Sequence, residues 1–178
     1  TTLFRSVLRD TIRYYNINSF NLLSPIPFWN MPDRAAANKE KKYNYIGVQY
    51  SNNEPAVAQR IITAALAKNK DIVAVFATNL FSAQGVAAGI KQAGKAGKVA
   101  VVGFDAGSDQ VKALKAGTVQ ALIAQQPATI GSEGVMAAVA AVGGSAPKSK
   151  KIQTGFTILT KKNIDTDAGK KAQYRDAC

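Results

Sequence analysis

The sequence predicts an α/β fold in which an open parallel sheet is flanked by helices. Three observations carry that expectation. Short runs of almost purely apolar residues recur, IVAVFA at 72–77, KVAVVGF at 98–104 and VQALIAQ at 119–125, as strands buried on both faces of a sheet require. Segments with apolar residues at helical spacing lie between them. The connections are too short for anything but strands crossed over by helices.

Taken in order, Asp33–Lys42 reads as a helix, with Asp33 as N-cap and lysines in the last turn complementing the macrodipole. Tyr45–Gln49 (YIGVQ) is a short strand. Asn53 is placed to cap the next helix, which carries Pro55 in its first turn, where the lost N–H has no helical partner to lose. That helix runs to Lys68, with Val57, Ile61, Ile62, Ala65 and Leu66 as its apolar stripe. Ile72–Ala77 follows as a strand buried on both faces. Ser82–Ala93 is a helix stopped by Gly94, Lys98–Phe104 a strand, and Ser108 opens a helix that ends at Gly117. Val119–Gln125 is a further strand. Pro127 leads into an Ala-rich helix over Ile130–Val142 that stops at Gly143-Gly144. Lys151–Thr160 (KIQTGFTILT) is the last strand, and Ala168–Cys178 is a polar tail.

The beginning of the chain reads differently. Residues 1–6, TTLFRS, resemble the translated end of a sequencing adapter, and residues 1–32 show no sustained helical or strand period. They are read as an irregular or non-native leader, with a loop region as the alternative. Their removal is expected to leave the rest equally stable.

Composition removes whole classes of function. The chain of 178 residues is 47% apolar, ordinary for a globular domain. It has no apolar run near the roughly 20 residues a membrane-spanning helix needs. The net charge of +12 suggests phosphate binding, but the cations are scattered lysines near turns and helix ends, and a solvated surface explains them better. With no histidine and a single cysteine, Cys178 at the C-terminus, Ser-His-Asp and Cys-His catalysis lack their parts. A zinc site lacks its ligands. Neither GxGxxG nor GxxxxGK[ST] occurs, so phosphate-cradling loops are absent. No cofactor, enzymatic activity, nucleic acid or membrane insertion is expected.

In an open parallel sheet, ligands bind beyond the carboxyl ends of the strands. Thr78-Asn79 follows IVAVFA, Asp105 follows KVAVVGF, Gln125 closes VQALIAQ, and Asn53 comes shortly after YIGVQ. Amides both donate and accept, and a carboxylate accepts strongly, so this set suits a neutral ligand bearing several hydroxyls. A phosphate would call for Arg, Lys and helix N-termini. No paired carboxylates with a tuned neighbour are present for glycoside hydrolysis. Structural roles compete with this reading: Asn53 as a helix cap, Asp105 as a cap on the turn before Ser108. Phe81 and Phe104 suit either stacking on a sugar ring or burial.

The segments YSNNEPAVAQ, DIVAVFATN, GIKQAGKAGKVAVVGFD, VKALKAGTVQALIAQQP, IGSEGV and GFTILTKKNID resemble, in that order, the C-terminal half of type I periplasmic sugar-binding proteins of the ribose class. The resemblance covers about two-thirds of the chain. It implies that Asn79, Asp105 and Gln125 bond sugar hydroxyls and that Asn53 occupies a pocket position. Arg34 matches a sugar-binding arginine, although Ala37-Asn38 stands where the family has Gly-Phe. It also implies two hinged α/β domains. Residues 33–125 would be the C-terminal domain, 126–150 a crossover and helix of an N-terminal domain not contained here, and 151–178 a return strand and tail. The implied function is that of a monomeric, periplasmic receptor (or an extracellular, membrane-tethered one in a Gram-positive source). It would deliver a monosaccharide or polyol to the permease of an ABC importer. The alternative is the sugar-sensing effector domain of a lactose-repressor-type regulator. Such regulators follow VVGFD with a Pro-rich segment and a Leu-Thr-Thr-Val-like strand, whereas GTVQALIAQQP is transporter-like.

Overall fold

The computed structural model describes residues 46, 48–145 and 152–175. The chain divides into two compact units, residues 1–48 with 127–155, and residues 49–126 with 156–178. The second unit holds a four-stranded sheet, α1 (Pro55–Lys68), β1 (Ala74–Ala77), α2 (Leu80–Gln92), β2 (Ala100–Phe104), α3 (Ser108–Ala116) and β3 (Ala121–Gln125). After α4 (Pro127–Val142), which belongs to the first unit, the chain adds β4 (Phe156–Leu159) and a short α5 (Asp167–Lys171).

The sheet order is β1-β2-β3-β4. β1, β2 and β3 run parallel, with Val75 opposite Val101 and Gly103 opposite Leu122. β4 pairs with β3 antiparallel, Leu159 opposite Leu122 and Phe156 opposite Gln125. The sheet is therefore mixed, a correction to the all-parallel expectation. No local residue pattern encodes the direction in which β4 pairs.

Burial follows position in the sheet. β2 and β3 are central, and Val101, Leu122 and Ala124 are fully buried. β1 is an edge strand among the described residues, and its burial grades from an exposed Ala74 to a buried Ala77. The expectation of a strand buried on both faces from Ile72 onward fails at Val73 and Ala74, which are exposed, and among the described residues β1 has β2 alone as a strand neighbour. The expected strand at Tyr45–Gln49 is not seen either. Ile46, Val48 and Gln49 are described and lie outside any strand, with no described strand beside them. The expected helix Asp33–Lys42, the leader 1–32 and Cys178 lie outside the described residues.

The helices form where the periodicity places them. α1 turns Ala58, Ile62 and Leu66 into the core, and burying each of the two larger side chains is worth about 1.5–3 kcal/mol. Its N-cap is Glu54, not Asn53, and makes no side-chain cap bond. Asn52 and Asn53 both have positive φ (52° and 64°), a conformation asparagine tolerates better than most residues. That geometry takes Asn53 out of the capping position. α3 ends at Gly117, whose φ of 86° is the left-handed cap a side chain would strain. The core joins Ile90, Val101, Leu114, Leu122, Leu159 and Ile164, all but excluded from solvent. The C-terminal segment is thus built into the unit, and the expected polar tail is partly a helix.

In the first unit, α4 starts at Pro127, three residues earlier than the expected Ile130, and buries none of its side chains. Val135, Met136, Val139 and Val142 are exposed apolar residues along it. The lysines of the second unit at 68, 70, 91, 98, 161, 162, 170 and 171 all face solvent, as a solvated charged surface requires.

Candidate functional site

The loop after β2 is held from both sides. Gln110, in the first turn of α3, is 1% exposed and bonded at both ends of its amide. Its Nε2 donates to the Phe104 carbonyl at 2.6 Å, and its Oε1 accepts from the Gly107 N–H at 3.0 Å. A buried amide with both ends bonded costs little and fixes the backbone it spans. Within that span Asp105 sits at φ 74°, and its own N–H bonds the Ile123 carbonyl of β3 at 2.9 Å. The carboxylate is thereby aimed along the sheet edge.

Three donors from three segments converge on it. The backbone N–H of Leu80, the first residue of α2, reaches Oδ2 at 3.0 Å. Gln125 Nε2 reaches Oδ1 at 2.8 Å, and the hydroxyl of Tyr174 donates to the same oxygen at 3.0 Å. Tyr174 in turn accepts the backbone N–H of Gln125 at 3.0 Å. The N-terminus of α2 adds the favourable end of a helix dipole. Each carboxylate oxygen has two lone-pair positions, so Oδ1 is filled and Oδ2 keeps one acceptor position.

Asn79 is the N-cap of α2, its Oδ1 accepting the Ser82 N–H at 2.8 Å. Its Nδ2 has no acceptor among the described residues. Ser51 Oγ meets Ser82 Oγ at 2.8 Å and so ties the loop carrying Asn53 to the first turn of α2. Asn53 itself is exposed, and no described contact joins it to Asp105. Phe81 is 41% exposed at the start of α2, and Phe104 is half-buried at the end of β2. Arg34 lies outside the described residues. Asn79, Asp105 and Gln125 are thus presented at the carboxyl ends of β1, β2 and β3, with Asp105 bonded directly to Gln125 and to the residue after Asn79.

Tyr174 and Gln110 are the site residues that sequence reasoning missed. Tyr174 is an aromatic residue in an otherwise polar tail, and the need to bury its ring is the signal that marks it. Burial, and next the Asp105 carboxylate, push its phenol well above the usual value for tyrosine, so it remains protonated and able to donate. Among the described residues no group of His, Cys, Asp or Glu is placed to hold a metal ion, and no helix is long and apolar enough to cross a membrane.

The chain is similar in sequence and in fold to known proteins. The periplasmic binding protein domain family matches residues 32–146. The ribose import binding protein of Haemophilus influenzae is 40% identical over 97 residues, 54% of this chain and 32% of the relative. The D-allose-binding periplasmic protein of Escherichia coli is 35% identical over 100 residues, 56% of this chain and 32% of the relative. Among solved structures, an ABC transporter solute-binding protein from Agrobacterium vitis bound with α-D-tagatopyranose is similar at a TM-score of 0.77 and 36% identity, covering 82% of this chain and 48% of that one. A second from the same organism, with bound D-fucose, gives a TM-score of 0.74 and 33% identity, covering 80% and 49%. The chain therefore spans about a third of these curated relatives and about half of these solved structures.

Proposed function

The chain belongs to the periplasmic binding protein domain family, and on that premise we propose that it is the C-terminal ligand-binding half of the substrate-binding component of an ABC importer, taking a monosaccharide or related polyol. The observation that carries the reading is the edge formed by Asn79, Asp105 and Gln125. Among the described residues, the Asn79 amide N–H has no acceptor and Asp105 Oδ2 has one donor, so each is left with capacity for a ligand. Donor and acceptor side by side bond a neutral hydroxyl pair, whereas a phosphate or carboxylate ligand would be repelled by Asp105. The relatives' names and bound ligands, ribose, allose, tagatose and fucose, belong to the same chemical class.

The domain reading accompanies this one. Residues 33–125 with the return strand make the C-terminal domain, and residues 126–150 cross into the other domain of a two-domain clamp. The divisions of the chain at Gln126 and at Gly155 support the later boundaries, as does an α4 that buries none of its own side chains, whereas the early division falls after Val48 and not at residue 33. The clamp closes on sugar about a hinge, and the closed form docks as a monomer on the permease from the periplasmic side. Asn53 and Arg34 complete the pocket. The protein carries out no chemistry on its ligand and needs no cofactor.

Calorimetric titration of the full-length protein with D-ribose, D-allose and D-tagatose tests the reading. Binding of at least one is expected. Asp105→Asn should weaken that binding about ten-fold or more, the cost of a charge-assisted hydrogen bond of about 1.5–3 kcal/mol. Unchanged affinity in Asp105→Asn removes Asp105 from the site.

A further inference from the structure

The C-terminal segment does more than close the sheet. After β4 the chain turns through Thr160–Thr166, where the Asn163 side chain accepts the Thr160 N–H at 2.7 Å and donates to the Ile158 carbonyl at 2.8 Å. Ile164 is buried to 1% exposure, and Gln173 Nε2 bonds its carbonyl at 2.8 Å. Thr166 caps α5 through Gly169 at 3.1 Å. Each bond shortens the freedom of the segment that ends in Tyr174. The Tyr174 backbone N–H then donates to the carbonyl of Ala106 at 3.0 Å, the residue next to Asp105, while its ring packs against the core.

Tyr174 is therefore bonded at both ends to the loop that carries the site. Its hydroxyl uses both of its capacities, donating to the Asp105 side chain and accepting from the Gln125 backbone. That single oxygen bridges the end of β2 to the end of β3. Resting on the sugar-receptor reading above, we infer that Tyr174 is a positioning residue for the ligand site, holding the Asp105 carboxylate and the Gln125 strand end in their binding geometry without touching sugar itself. Without the hydroxyl, the Gln125 N–H loses its acceptor and Asp105 Oδ1 loses one of two donors. The carboxylate is then free to rotate about its side-chain bonds and must be ordered again when sugar binds, which lowers affinity.

The test is a double-mutant cycle on the full-length protein, with affinities for D-ribose, D-allose and D-tagatose measured by calorimetry for the wild type, Y174F, D105N and Y174F/D105N. Y174F keeps the ring and removes only the hydroxyl. It should weaken sugar binding about ten-fold. Because the hydroxyl acts on the Asp105 carboxylate as well as on the Gln125 strand end, adding Y174F to D105N should cost clearly less than Y174F alone, about three-fold or less. A merely structural role would lower the melting temperature and leave the affinities unchanged, or give losses that simply add in the double variant. Either result overturns this inference while the receptor reading stands. A wild-type protein that binds none of the three sugars overturns the receptor reading, and this inference with it.

Discussion

The two ends of the Asn79 amide are used differently. Its Oδ1 accepts the Ser82 N–H and starts α2, while its Nδ2 has no acceptor among the described residues. Replacement separates the two uses. Asn79→Ala removes the cap and should cost about 1 kcal/mol of stability, read as a lower denaturant midpoint. Asn79→Asp keeps a good cap oxygen beside the helix N-terminus but has no N–H to offer. Its midpoint should match or exceed the wild type's while its sugar affinity in the full-length protein falls. An affinity for Asn79→Asp equal to the wild type's would leave Asn79 as a cap alone. Asp105 has the opposite character, since its three donors give this candidate site residue a structural role as well. Asp105→Ala would strand those donors and cost stability as well as binding, so the isosteric Asp105→Asn substitution is the cleaner probe. At this scale the sequence is legible where a polar residue terminates an apolar strand, as at Asn79, Asp105 and Gln125. Tyr174 shows only its need for burial, because its partners Asp105 and Gln125 are brought near by folding, and Gln110 reads as an ordinary first-turn helix residue although its partners Phe104 and Gly107 are local.

Among the elements, the strand ends and the returning segment decide the site. β1, β2 and β3 could be placed from their apolar runs, with an error at the outer edge: β1 starts at Ala74 rather than Ile72, and among the described residues it pairs with β2 alone. The antiparallel β4 and the small α5 carry less signal. α5 is only five residues long, and its two lysines and Asp167 look like any solvated tail. Its one demanding position is Gly169, where an added Cβ would overlap the carbonyl oxygen of Asn163. Gly169→Ala should therefore push α5 off the Thr160–Thr166 turn. The expected cost is on the order of 1–3 kcal/mol, as for other overpacked sites, measured as a drop in the denaturant midpoint. The shift would be transmitted to Tyr174, so sugar affinity in the full-length protein should fall too. A destabilised Gly169→Ala with wild-type affinity would show that α5 does not govern the site.

For the whole molecule, the division into two units matters most. The second unit holds the sheet, its core and the Asn79–Asp105–Gln125 edge, whereas α4 in the first unit buries none of its own side chains. On the proposed reading, a two-domain clamp would gain affinity by closing on its ligand from both sides. This chain taken alone should then bind D-ribose, D-allose or D-tagatose at least about a hundred-fold more weakly than the full-length protein, a difference of about 2.7 kcal/mol or more. Calorimetry on both proteins checks this, and equal affinities would mean that one half supplies the whole pocket.

The alternation of helices and strands, the polar residues that end the apolar strands and the lack of histidine could be read before folding. Those properties depend on residue type and short-range spacing, which a chain displays before it folds. It took the folded chain to show that the last strand runs antiparallel, that Asn53 is not the cap of α1, and that Tyr174 reaches back to Asp105 and Gln125 across 69 and 49 positions of sequence. Such pairings arise from which surfaces meet once the sheet is assembled, and local sequence holds no record of them.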